Sequence, residues 1–255
     1  MFSTAAALER DKFLSVTIGP RPAGSEGETK AADYIESEFR SFGFTVERQP
    51  AKRLDGGTSF NIIATDPSAD ANAAYILLGG HYDTVPPSPG GNDNGTGIAV
   101  LLTVAEQIAG RHLPIRFVAF AGEEIQRTTR EHHIGSRALA ASLKDPKAVK
   151  AMLSVDQVGF GQMDFITYRQ TSLDLLDGLQ KVCDSLAVPY THHAKGNISD
   201  HVPFAQIGIP SILFSTTDIP QRHTPQDTFD RVDPAAVDRA GRVLAEWIRR
   251  ETAIT

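Results

Sequence analysis

Thiol chemistry is nearly absent from this chain, which has one cysteine, Cys183, among 255 residues. A single thiol excludes an internal disulfide and any structural zinc site built on several thiolates. Basic clusters are missing too. The 25 lysines and arginines are outnumbered by 31 acidic residues, and no basic run exceeds a pair such as Arg249–Arg250. Nucleic-acid binding needs a concentrated cationic face, so no such partner is expected. No apolar stretch approaches the roughly 20 residues of a membrane span, and no membrane association is expected. The first residues, MFSTAAALERDKFLSV, lack the charged start and continuous apolar core of a secretory signal; the chain as given is expected to be cytoplasmic. Repeats, low-complexity tracts and interdomain linkers are likewise not found.

What remains is an alternation of strand-like and helix-like segments. Residues 31–42 carry Ile35, Phe39 and Phe42 at helical spacing. FNIIAT (60–65) and AAYILLGG (73–80) read as strands, the second continuously apolar as a buried strand should be. A helix is expected over 96–108, strands over 114–122 and 148–159, and an amphipathic helix over 172–186. A strand at 208–216 and a helix at 234–250, with proline in its first turn, complete the pattern. Such alternation predicts an α/β fold with a mainly parallel sheet, whose ligands sit beyond the carboxyl ends of the strands.

Following each strand past its end brings up the same kinds of side chain. After YILLGG come His81 and Asp83, and a Pro/Gly-rich loop then delivers Asp93. The next strand leads into Glu123–Glu124, the next into Asp156, and SILFST into a loop ending at His223. Taken singly, His-X-Asp is more often a plain hydrogen-bonded pair, NDNG a turn, adjacent glutamates a solvated face and HTPQDT a capped turn. Their recurrence on one sheet edge changes the reading. Imidazole with carboxylate oxygen is a zinc-type donor set, and the inventory suffices for two cations sharing one carboxylate, with a glutamate left for proton transfer.

The stretches GGHYDTVPPSPGGNDNGTGIAVLL, AFAGEE, SVDQVG, SDHVPFAQIGIPSILF and HTPQDTFDRV together resemble the dizinc aminopeptidases of metallopeptidase family twenty-eight. IGPRPAGSEGETKAADYIESEFRSFGF (18–44) extends the likeness over almost the whole chain. The resemblance implies a three-layer α/β sandwich, a mixed, mainly parallel sheet between helices, of the dizinc exopeptidase type. It also implies two zinc ions: His81 and Asp156 on one, Glu124 and His223 on the other, and Asp93 bridging. Glu123 matches the general base, and Asp83 the carboxylate that orients His81. The implied activity is removal of the terminal residue from peptides with a free amino terminus, water being activated between the cations. Some relatives carry an additional protease-associated domain, but about 30 residues separate FGF from YILLGG here, too few to fold independently. One catalytic domain over 1–255 is therefore expected.

Two features depart from the family pattern. Arg222 stands where relatives often carry a tyrosine that donates to the developing oxyanion, a role arginine can also fill. The loop in GEEIQRTTREHHIGSRAL is longer than usual, and its His132 and His133 are read as residues of the cleft rim. His201 is read as supporting the site without ligating, and His192–His193 as an exposed pair. Glutaminyl cyclases, which use one zinc, share this framework. A dizinc carboxypeptidase or amidohydrolase is a further alternative, but it needs a basic clamp, and Arg127, Arg130, Arg137, Arg169 and Arg222 are scattered.

Overall fold

The apolar runs form the middle of one eight-stranded sheet in the computed structural model, which describes residues 1–70, 73–126, 128–196, 198–217 and 221–252. The strands are β1 Thr45–Lys52, β2 Thr58–Thr65, β3 Tyr75–His81, β4 Ile115–Phe120, β5 Val149–Val155, β6 Met163–Tyr168, β7 Tyr190–Lys195 and β8 Ser211–Thr216. Their spatial order is β1-β2-β4-β3-β5-β8-β6-β7. The central strands β4, β3, β5 and β8 run parallel, while β1, β2 and β6 pair antiparallel to their inner neighbours. The sheet is mixed and mainly parallel, as expected.

Around it lie α1 Thr4–Lys12, α2 Glu26–Ser41, α3 Gly97–Ile108, α4 Ile134–Ser142, α5 Leu173–Leu186, α6 His201–Gln206 and α7 Pro234–Thr252. Alternation along the strands sorts the core into two layers. Ile76, Leu78 and Phe117 face one side, with Phe39 of α2, Leu102 of α3 and Trp247 of α7. Leu77, Phe120 and Met152 face the other, with Leu139 of α4 and Phe204 of α6. Every residue of β3 is buried, because helices cover both of its faces. The edge strand β1 is mostly uncovered and accommodates Pro50, which an interior strand would not. Among the described residues, no helix is long and apolar enough to cross a membrane.

Two close approaches set the site's geometry. A Cβ on Gly80 would lie 2.5 Å from the Val155 carbonyl oxygen, so glycine lets the ends of β3 and β5 converge. At Gly135 a Cβ would meet Asn61 Oδ1 at 2.1 Å, and its absence seats the start of α4 against β2 and the end of β4. There the amides of His133, Ile134 and Gly135 donate to the carbonyls of Glu123, Gly122 and Ala121 at 2.8–2.9 Å. These bonds satisfy donors that a helix start otherwise leaves open.

Candidate metal centre

His81 closes β3, Asp156 follows β5 directly, and Glu123 and Glu124 lie just past β4. Asp93 sits in the loop before α3, and asparagines on either side of it stitch that loop to the end of β5. Asn94 Oδ1 accepts the amides of Gly97 and Gln157 at 3.0 and 3.1 Å, while its Nδ2 donates to the Val155 carbonyl at 2.9 Å. Asn92 Oδ1 accepts the Gly159 amide at 2.7 Å. The NDN sequence is therefore a brace that fixes Asp93 relative to Asp156.

All five candidate ligands converge, and Asp93 stands between two groups. Its Oδ1 is 3.2 Å from His81 Nε2, which is 3.4 Å from Asp156 Oδ1. Its Oδ2 is 3.1 Å from His223 Nε2, which is 3.0 Å from Glu124 Oε1. In each trio, one donor atom per residue lies within 4.8 Å of the others, and the same holds for His81, Glu123 and Glu124.

The protons argue for cations. His81 Nδ1 donates to the Asp83 main-chain carbonyl at 3.1 Å, and Nε2 faces two carboxylates. His223 Nε2 accepts from Arg222 Nε at 3.2 Å while it lies 3.1 Å from Asp93 Oδ2 and 3.0 Å from Glu124 Oε1. Both oxygens of Asp93 and Oδ1 of Asp156 are buried without a hydrogen-bond partner among the described residues. Unpaired buried carboxylates cost several kcal/mol each. Metal ions resolve all of these conflicts at once, and an oxygen–imidazole donor set suits zinc.

The charges of the site carry the same signature. Burial, then the negative charges of Asp156, Asp83 and Asp93, push Glu123 up to about 8 despite His81 nearby. Burial and Asp93 raise Glu124 to about 8 as well. His223 rises to about 10 through its contacts with Asp93 and Glu124. Burial opposes a charge on His81, but Asp156 and Glu123 outweigh it and raise that pKa well above the ordinary value.

Several placements refine the sequence reading. The Asp83 carboxylate accepts the amides of Glu123 and Glu124 at 3.0 and 3.2 Å, and it lies 3.6 Å from His81 Nδ1. Asp83 therefore orients His81 chiefly through its main-chain carbonyl, and its carboxylate positions the glutamate pair. His133 is not a rim residue. It is buried, with Nε2 2.9 Å from Glu123 Oε1, because α4 folds back onto the end of β4. The pair His192–His193 is not simply exposed either: His192 Nε2 meets the Thr167 hydroxyl at 3.1 Å, and His193 Nδ1 meets Asp164 at 2.9 Å. His201 is fully buried, and burial lowers its pKa to about 3. Arg222 is half-exposed beside the centre, its Nε 3.4 Å from Asp93 Oδ2, whereas Arg127 lies outside the described residues.

Three supporting residues were not singled out from the sequence. Asp227, in HTPQDT, accepts the amides of Asn92 and Asp93 at 2.7 and 3.0 Å. Ser199 donates to Asp156 Oδ2 at 2.9 Å, turning Oδ1 towards His81. Arg21 is fully buried and donates to main-chain carbonyls that include Tyr82, Pro89 and Gly90, holding the loop that leads to Asp93. A cavity of 340 Å³ opens beside Asp156 and Arg222, with Ile166, Leu213, Asp164 and Lys195 in its walls.

Comparison with known proteins places the chain among peptidases of one family. The sequence model described as peptidase family M28 matches residues 61–248. Aminopeptidase YwaD of Bacillus subtilis is 29% identical over 209 residues, which cover 76% of this chain and 45% of that protein. The chain thus spans under half the length of that relative. Among solved structures, BSAP, a zinc aminopeptidase from Bacillus subtilis, superposes with a TM-score of 0.87 at 19% identity, covering 98% of this chain and 95% of the other. Porphyromonas gingivalis glutaminyl cyclase superposes with a TM-score of 0.84 at 24% identity, covering 98% and 99%. At such identities the superpositions speak for the fold, which both activities share.

Proposed function

The chain belongs to peptidase family M28, and on that premise we propose that it is a zinc aminopeptidase with two zinc ions, releasing the terminal residue of peptides that have a free amino terminus. His81 and Asp156 would hold one ion and Glu124 and His223 the other, with Asp93 a ligand common to both. The observation that carries this reading is the placement of Asp93, with one oxygen beside each histidine and neither oxygen hydrogen-bonded among the described residues.

Zinc held there would make a water more acidic and polarise a peptide carbonyl. The chain's own groups complete the reaction. Glu123 is adjacent to Glu124 yet not needed among the five ligands, and it takes the proton from the attacking water and passes it to the leaving amine. Arg222 lines the cavity, and its guanidinium meets negative charge developing on the carbonyl oxygen. The acid-rich centre suits the ammonium of a substrate's first residue, whose side chain enters the cavity over Ile166 and Leu213.

A glutaminyl cyclase of this fold would need one zinc and would act on amino-terminal glutamine; the paired arrangement around Asp93 favours two ions. A carboxypeptidase would need a basic clamp, and among the described residues the cavity has Arg222 and Lys195 set against Asp156 and Asp164. Free-amine and amino-blocked aminoacyl anilides, assayed with zinc, with chelator and after zinc readdition, separate these readings. Glu123→Gln should keep both ions and lose about 10²- to 10⁴-fold in kcat. An active Glu123→Gln, or equal hydrolysis of blocked substrates, would overturn the proposal.

A further inference from the structure

His133 is the one side chain outside the proposed ligand set seen to reach the Glu123 carboxyl by an ion-pair contact among the described residues, at 2.9 Å from Nε2 to Oε1. Its position is specified twice over. The His133 amide donates to the Glu123 carbonyl at 2.9 Å, so backbone and ring grip the same glutamate. The residue also adopts a left-handed backbone, φ 55° and ψ 37°, directly before α4. Side chains other than glycine visit that region at a cost, and they do so where the surroundings hold them.

The ring is 3% exposed, and His132 packs edge-on against it, with centroids 4.4 Å apart at 76°. Burial lowers the His133 pKa, which favours the neutral ring. A neutral imidazole has one N–H. Donated to Glu123, it leaves Nδ1 as the acceptor, consistent with the absence of a hydrogen-bond partner for Nδ1 among the described residues. Glu123 needs such a donor. Its side chain has several rotatable bonds, and a contact at Oε1 limits the directions it can take.

We propose that His133 is a positioning residue for Glu123, holding the carboxyl through Nε2–H so that its proton-accepting oxygen keeps one direction towards the water. This rests on the general-base reading of Glu123. The contact comes from the long loop after Glu124, which thereby acts in proton transfer and not only at the cleft rim.

The test uses two replacements of matched polarity. Asparagine tolerates the left-handed backbone, but its amide is too short to reach Glu123; the glutamine amide nitrogen can occupy the place of Nε2. His133→Asn should lower kcat by about 10- to 100-fold, with KM changed less than about twofold and zinc content and melting temperature kept. His133→Gln should recover most of the lost kcat. On a Glu123→Gln background, His133→Asn should have no further effect. A crystal structure of His133→Asn should show Glu123 in more than one rotamer, a readout independent of turnover. Unchanged kcat in His133→Asn, no recovery in His133→Gln, zinc loss in either, or an undisturbed Glu123 would overturn the inference. A wild-type chain inactive on free-amine substrates would instead overturn the function reading, leaving the rotamer test to decide the positioning role.

Discussion

His81 and Asp156 approach Asp93 from the ends of adjacent strands, whereas His223 and Glu124 approach it from loops. The difference shows in exposure: the His81 side chain is 1% exposed and that of His223 38%. His223 has a left-handed backbone, φ 62°, and its neighbour Arg222 is also half-exposed. One half of the centre is thus part of the sheet's framework, and the other is presented on a connection at its margin. One half is held by the buried sheet, and the other faces solvent.

The largest expected effect separates the halves directly. His223→Ala should remove one zinc per chain and lower activity by more than about 100-fold, while leaving the melting temperature of the apoprotein nearly unchanged. His81→Ala should also lose zinc, and in addition destabilise the apoprotein, because it leaves buried carboxylates facing one another beside a cavity. Metal analysis with calorimetry measures both; equal melting behaviour of the two variants would erase the distinction. An intermediate effect is expected for Arg222→Ala. A buried oxyanion donor is worth about 10²- to 10³-fold in kcat, and this half-exposed one should be worth about 10-fold. Wild-type kcat in that variant would remove Arg222 from the chemistry.

The smallest effect comes from a buried carboxylate belonging to neither half. Glu28 accepts the Gly24 amide and the Ser59 hydroxyl, and burial raises it to about 7 from an ordinary 4.5. The folded chain therefore favours its protonated form. Its contribution is full below about pH 4.5 and is lost as pH rises through 7. Glu28→Gln should flatten that part of the stability profile by at most roughly 3 kcal/mol. Urea unfolding at pH 5 and pH 8 checks it, and an unaltered slope would show that Glu28 does not carry the effect.

Much of this arrangement could be read before the fold was seen, for a physical reason. Buried parallel strands are continuous apolar runs, so β3, β4, β5 and β8 stand out, and the polar residues just beyond them are carried to one sheet edge. Edge elements give no such signal. YTHHAK of β7 and TVERQPAK of β1 are largely uncovered and show no apolar alternation. His133 and Arg21 are hard to place from sequence because a single polar residue in a loop looks alike whether it faces water or a buried partner. Asp227 fits a turn-capping pattern, and nothing local discloses that the amides it caps belong to Asn92 and Asp93.

The brace formed by Asn94 has a consequence for the lifetime of the molecule. Asn94 precedes Gly95, a pair that in a loose chain readily loses its amide by cyclising onto the following nitrogen, creating a new acid. Here the amide is engaged by Gly97, Gln157 and Val155 at once, so that ring cannot close while the fold persists. Chemical ageing at this spot is thereby deferred until the chain opens.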